Sequence, residues 1–441
     1  MANTSIRKTF SGNGNTKKWT LSWWEKKNKL GTVQRIFSCD ESGNNNHDDF
    51  FQWQTDDKLV IGFYDSGYYM NLTPDRNFRD TNAWYHFVFT WDTAQATASN
   101  RAKFYVNGVQ ETVFATETYP SQNKDSFINT TEPIEIGKRS DNDTQFLEST
   151  LSHVHFCDGY AYAASDFGST DATTGEWKIN TSPSVSYGTN GFWILKDGNT
   201  ITDSSPNSND WSSVSGTLTK TEDCPSNVFN VNNPLIVQSA NGNHANGNTN
   251  WSTGAASWRM TIGTIGATSG KYYAECQVYG SGGNVHWMNG ICSLDQNTTH
   301  TNQYAGGDSG KLGASYNWDG QQYVNGSNSN YGASYGNNDI IGIAMDLDNR
   351  KLYFSKNGTW QNSGVPTSGS TGTGAISIPS STDTYTFAFS AHNSSMNCNF
   401  GNGYFGTTAV SSAGTNASGN GIFEYDVPTG YTALSTKGLN L

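Results

Sequence analysis

Acid–base chemistry by paired carboxylates is the first activity to test in a chain carrying 38 Asp and Glu residues. A retaining glycosidase needs acid and nucleophile about 5–5.5 Å apart, which on a strand means alternate positions of one face. No Glu-x-Asp-x-x-Glu run occurs. Glu132 and Glu135 stand three apart across Pro133 and point to opposite faces of an extended segment, while Asp346 and Asp348 share a parity at a hairpin corner, where water solvates them. Gly306-Gly307-Asp308-Ser309-Gly310 matches a protease motif in letters alone, and the serine-hydrolase, zinc and phosphate-loop signatures are missing. His153 and His155, two apart on a strand, could chelate a metal, yet no third ligand is specified near them. The acidic stretches Asp40 to Asp49 and Asp141-Asn142-Asp143 fit no recognisable calcium spacing and read as solvated turns. The expectation is a chain that is not an enzyme, with no catalytic residue, no metal and no cofactor.

Binding has a different signature. Residues 286 to 335 interleave His286, Trp287, Tyr304, Tyr316, Trp318, Tyr323, Tyr331 and Tyr335 with Gly, Asn and Ser. Rings can stack on the apolar faces of sugars while amides and hydroxyls bond their hydroxyl groups. Trp287, Tyr304, Tyr316, Trp318, Tyr323, Tyr331 and Tyr335 are therefore the candidate ligand-binding residues. The competing assignment is that alternate aromatics of strands such as Ala314-Ser315-Tyr316-Asn317-Trp318 only fill a core.

The elements that must position these side chains are strands. Short apolar runs, among them Thr20 to Trp24, Arg35 to Ser38, Lys58 to Phe63, Lys271 to Val278 and Asn289 to Cys292, are bounded by Gly, Asn, Asp or Ser clusters, and no segment has helical periodicity. Two stretches read as the same hairpin. Phe87 to Asp92, Asn100-Arg101 and Phe104 to Gly108 are echoed by Ile341 to Asp346, Asn349-Arg350 and Leu352 to Gly358. Each closes on Asn-Gly, a pair that tolerates the positive φ of a type I′ turn. In Trp84 to Trp91 the parity carrying Tyr85, Phe87, Phe89 and Trp91 should face a core, leaving His86 partly exposed on the other.

Composition bounds the remaining classes. At 441 residues the chain exceeds what one core supports, so two domains are expected. Charged residues make up 15%, Gly numbers 47 and aromatics reach 13%, which leaves the surface to Asn, Ser and Thr. A net charge of −12 without a basic run argues against nucleic acid. Neither a signal-peptide core nor a run of about 18 apolar residues occurs, so the expectation is synthesis in a cytoplasm without membrane insertion. Cys39, Cys157, Cys224, Cys276, Cys292 and Cys398 form no Cys-x-x-Cys pair and read as free thiols.

Trp84 to Val88, Lys103 to Gly108, Ile136-Gly137-Lys138 and the closing Leu151 to Phe156 strand resemble the laminin-G and pentraxin branch of concanavalin-A-like jelly rolls. Lys271 to Glu275, Ile341 to Asp346, Leu352 to Trp360 and Phe387 to Ser390 resemble a SPRY domain, a sandwich of the same architecture that binds partners through its loops. The resemblance implies an all-β fold of two tandem concanavalin-A-like jelly-roll sandwiches joined by a loop-rich connector. The boundaries expected are a sandwich over 1–170, a connector packed through Trp193 and Trp211 over 171–235, a SPRY-like sandwich over 236–405 and a C-terminal extension over 406–441. This order, with the closing Pro428-Thr429-Gly430-Tyr431-Thr432-Ala433-Leu434, resembles virion proteins of marine bacteriophages. The resemblance implies a virion location, other virion proteins and a host-surface glycan as partners, and a fibre-like role; a capsid or tail decoration role stands as its alternative. It also allows a homo-trimer, although no heptad segment specifies one.

Overall fold

The computed structural model describes residues 3–40, 47–196, 200–236, 242–280, 284–294, 304–307, 312–379 and 383–440. Asp308–Gly310 and residues 41–46 of the acidic stretch thus lie outside the described residues. Among those described, the secondary structure is strand apart from short 3-10 turns. The chain divides into two compact units, residues 1–219 and 220–441.

The first unit holds an eight-stranded and a six-stranded sheet. Lys18–Lys27 pairs antiparallel with Tyr85–Asp92, setting Trp19 opposite Trp91, Leu21 opposite Phe89 and Trp23 opposite Phe87. These side chains share one face, and the rings of Phe51 and Phe63 meet them at centroid distances of 5.5 Å (Trp23) and 6.1 Å (Trp19). The parity expected to face the core does so. His86, on the other parity, is buried instead of partly exposed. A second layer formed by later residues covers it: Trp177 Nε1 donates to Nδ1 (3.0 Å) and Ser22 Oγ lies 2.9 Å from Nε2. Because Nδ1 accepts, Nε2 carries the ring proton and donates to Ser22. Burial pushes the His86 pKa down to about 3, keeping the ring neutral.

Residues 171–235 are not a separate connector. Phe192–Ile194 pairs with Ser149–Asp158, and Ser212–Ser215 pairs with Ser5–Lys8, so Trp193 and Trp211 belong to the first unit. Asp203 wires the loop between these strands. Its carboxylate accepts from Trp193 N (2.8 Å), Ser205 N (2.8 Å) and Asn209 N (2.8 Å). Strands of three and four residues, joined by a loop that one Asp organises, are too short to leave a periodic signal. From Lys220 onward the chain joins the second unit, where Phe229 bridges Ser435 and Asn232 bridges Gly263.

The second unit packs a nine-stranded sheet against a six-stranded one. Its central strand, Lys271–Tyr279, lies between Ile340–Asp346 and Ser394–Asn399, and Thr432–Ala433 pairs with it in parallel. Alternation sends Tyr272, Ala274, Cys276 and Val278 into the core between the sheets. Tyr273 and Glu275 face the other way, where Phe229, Phe423, Val427, Tyr431 and Ala433 form an outer layer around Tyr273. The expected C-terminal extension is therefore part of the unit. All six cysteines are free thiols.

Both Asn-Gly pairs close hairpins, in separate units. Asn107 and Gly108 take φ of 47° and 83°, Asn357 and Gly358 take 48° and 79°. Each Asn also clasps the neighbouring strand. Asn107 N donates to His86 O (2.9 Å) and His86 N donates to Asn107 Oδ1 (2.8 Å). Asn357 makes the same pair of bonds with Ile340, both 2.8 Å.

Glu275 is fully buried and accepts from Glu424 N (2.8 Å), Tyr425 N (2.9 Å), Tyr273 Oη (3.1 Å) and Asn399 Nδ2 (3.2 Å). Desolvation outweighs these donors and raises its pKa from 4.5 to about 7. A carboxyl raised on folding adds stability that is complete below pH 4.5 and is lost as pH rises through about 7. Glu275→Gln removes that titration. The wild-type-minus-variant difference in unfolding free energy, measured by calorimetry, should therefore shrink by about 3 kcal/mol from pH 4.5 to above 7. A difference constant with pH would refute the assignment.

Candidate functional site

The six-stranded sheet of the second unit runs Arg259–Ile262, Tyr385–His392, His286–Ser293, Gly313–Asn317, Gln321–Val324 and Ser327–Asn330 from edge to edge. Antiparallel register fixes which side chains share a face. His286 opposes His392, Trp287 opposes Ala391, and Met288 opposes both Ser390 and Asn317. Odd and even positions therefore separate a core side, with Trp287, Ile291, Tyr316, Phe387 and Phe389, from an outer side with His286, Met288, Ser390 and His392. Gly290 sits where a Cβ would come within 2.3 Å of Ala314 O, so the strand approaches its neighbour closely only with glycine there.

This division sorts the seven candidate aromatics. Trp287, Tyr316, Tyr331 and Tyr335 are buried in the core at 5% exposure or less, and the expectation that they read a ligand gives way to a packing role. Their polar atoms are occupied accordingly. The Tyr335 hydroxyl lies 2.8 Å from Tyr316 O and accepts from Asn289 Nδ2 (3.1 Å), Tyr331 Oη accepts from Phe354 N (3.2 Å), and Tyr316 Oη donates to Ala333 O. Trp287 Nε1 donates to Ser395 O (3.1 Å). A tyrosine in a core keeps its hydroxyl bonded, and these do.

Tyr304, Trp318 and Tyr323 are half-buried and lie at the surface. They are brought together by three residues outside that set of seven: His286, Trp258 and His392. His286 stacks on Trp318 with centroids 4.4 Å apart and planes 9° apart. Its ring lies 5.3 Å from that of His392 and 6.2 Å from that of Trp258. Trp258 in turn meets His392 at 5.9 Å and Tyr304 at 5.5 Å, and Tyr304 meets Tyr323 at 5.4 Å. Six half-buried rings thus form a continuous run along the sheet, with Trp318 also packing against the core. Trp258 stands one residue before its strand and His392 ends its own, so the link between them is a matter of sheet order, which local sequence does not encode.

The electrostatics of the strip are mild. Burial, reinforced by His392, lowers the His286 pKa, which keeps that imidazole neutral near pH 7. Burial raises that of the Tyr323 phenol. The rings can offer stacking faces to a ligand, while the nearby Ser315, Asn317 and Ser390 are buried and Ser315 Oγ donates to Ala305 O (2.6 Å). In the first unit, His153 and His155 carry their own partners: Ser152 Oγ lies 2.8 Å from His153 Nδ1, and Tyr187 Oη 2.9 Å from His155 Nδ1. No group of three or more His, Cys, Asp or Glu is arranged to hold a metal among the described residues.

Two stacked sheets in each unit define a tandem β-sandwich protein. Residues 3–161 match the family described as the concanavalin A-like lectin/glucanases superfamily, and residues 271–403 match the SPRY domain. The chain therefore carries a concanavalin-A-like domain followed by a SPRY domain. Similar solved structures include the SPRY domain of human HERC1, 16% identical over 38% of this chain and 96% of that one, with a TM-score of 0.30. The TRIM65 PSpry domain is 12% identical over 38% and 91%, with a TM-score of 0.29. The heptameric SAP-like pentraxin from Limulus polyphemus is 18% identical over 36% and 71%, with a TM-score of 0.28. No curated protein matches the sequence.

The division of the aromatics is testable by stability. Tyr316→Ala empties a fully buried site and should cost about 3–5 kcal/mol, whereas Tyr323→Ala should cost under about 1 kcal/mol. Urea unfolding of both variants measures this; equal losses would place Tyr323 in the core.

Proposed function

We propose that this is a non-catalytic binding protein whose SPRY domain recognises a neutral polar ligand, a glycan on a host surface, as part of a fibre-like bacteriophage virion appendage. The observation that carries the reading is the run of Trp258, His286, His392, Trp318, Tyr304 and Tyr323, six contiguous half-buried rings on and beside one sheet. Sugars offer apolar C–H faces that stack on such rings. The low charge of the chain, 15% of residues, agrees with a surface built for uncharged polar ligands. The domain order and the Pro428 to Leu434 segment support the virion setting through their resemblance to phage structural proteins. A purely structural role as a capsid or tail decoration is favoured by one observation: four of the seven candidate aromatics fill the core.

Purified protein applied to host cells and to a glycan array tests the reading. Binding is expected, and Trp318→Ala and Trp258→Ala should each weaken it by roughly tenfold, the loss of one stacking contact. Both rings are half-buried and Trp318 also packs against the core, so the thermal transition of each variant is recorded alongside and binding is compared for folded protein. Absence of binding to cells and glycans, or full binding by both variants, would overturn the reading. Imaging of intact virions that places the protein in the capsid wall would favour decoration.

A further inference from the structure

A second concave site lies on the nine-stranded sheet of the same unit, and most of its wall comes from residues outside the SPRY match. Ser412–Thr415 and Glu424–Asp426 line a cleft of about 540 Å³ together with Tyr273, Gly358 and Trp360. That volume falls in the range of small-molecule sites, about 300–1,000 Å³.

The cleft is held in shape from two sides. Buried Glu275 fixes the backbone N–H groups of Glu424 and Tyr425. The Asn357-Gly358 turn provides the other support: a Cβ at Gly358 would come within 2.7 Å of the Tyr425 ring, so only glycine lets that ring lie against the turn. The Trp360 and Tyr273 rings meet at 6.5 Å and 62°. Asp426 Oδ1 accepts from Thr415 N (2.7 Å) and Thr415 Oγ1 (2.8 Å), and Oδ2 makes no hydrogen bond among the described residues. Glu424 holds Ser411 through both of its oxygens.

The lining therefore joins the half-buried rings of Trp360 and Tyr425, with buried Tyr273 beneath them, to two carboxylates, and no Lys, Arg or His is among its residues. Ring faces carry negative electrostatic potential, and unneutralised carboxylates add to it. An anionic ligand is repelled there. A neutral sugar would use the hydrogen-bonding groups but gain nothing from the charge, whereas an organic cation gains from both rings and carboxylates. We propose that this cleft binds an alkylammonium group, with Trp360 and Tyr425 as its walls and Asp426 as its counter-charge.

Titration of the full chain with tetramethylammonium chloride, followed by calorimetry or ligand-observed NMR, tests the proposal. Saturable binding is expected, weakened by added salt, and the uncharged isostere tert-butanol should bind at least about tenfold less well. Asp426→Asn keeps an acceptor for Thr415 and removes the charge, so it should weaken binding several-fold with an unchanged thermal transition. Trp360→Leu should abolish binding. The proposal is overturned by equal binding of tert-butanol, by no saturable binding of tetramethylammonium, or by an Asp426→Asn variant that binds like the wild type. A methyl glycoside that competes for the cleft and loses binding in Trp360→Leu would make it a sugar subsite instead.

Discussion

Four donors from three separate parts of the chain converge on the carboxylate of Glu275, and the architecture of the second unit hangs on that meeting. A carboxylate removed from water costs several kcal/mol unless its oxygens are satisfied. Glu275 stands on the outward parity of the central strand, where Tyr273 of the same strand and Asn399 of the neighbouring one supply two donors and the other two come from a layer laid over the sheet. Residues 423–434 supply that layer, bringing Phe423, Val427 and Tyr431 down on Tyr273 and Tyr353. The first unit solves the same problem with different donors. Its buried Glu25 accepts from the indoles of Trp53 (2.7 Å) and Trp23 (3.1 Å) and from Ser149 Oγ (2.7 Å).

The scarcity of charge has a structural counterpart in the loops. Asp158 collects Asn15 N, Asn129 Nδ2, Thr189 N and Asn190 N, and Asp203 does the same for the segment after it. Asn207 and Asn209 both donate to Gly191 O at 2.9 Å. Short polar side chains thus replace backbone ladders where the chain turns, as Asn and Asp favour. The many Asn, Ser and Thr residues are wiring as well as surface, which weakens composition alone as an argument for a ligand.

Strand parity and turn chemistry were legible from local sequence. Tyr85, Phe87, Phe89 and Trp91 alternate inward as read, and both Asn-Gly pairs adopt the positive φ that their residue types permit. What local sequence could not show is which outward face a later segment covers. His86 reads as a sheet surface residue until Trp177, some ninety positions on, closes over it. Tyr316, Tyr331 and Tyr335 look like loop aromatics because Gly, Asn and Ser surround them, yet they fill the core. Trp258 and His392 carry no periodic signal, and only the sheet order brings them beside His286. The boundaries expected at 171–235 and 406–441 moved for a related reason. Strands of two to four residues, such as Phe192–Ile194 and Thr432–Ala433, are placed by partners far away in sequence.

The bonds from Glu424 to Glu275 span 149 residues, and this separation bears on how the protein is made. A central strand that leaves the ribosome early must wait for the segment that completes it. Until residues 423–434 emerge, the apolar face around Tyr273, Ala344 and Tyr353 has no covering layer, and the Glu275 carboxylate remains in water. At the usual pace of synthesis that interval is roughly 10–30 s. Long-range closure of this kind is slow, and an uncovered sheet face invites association with other chains. Yield of the folded protein should therefore be governed by how well that face is protected during translation, more than by the final stability of the sandwich.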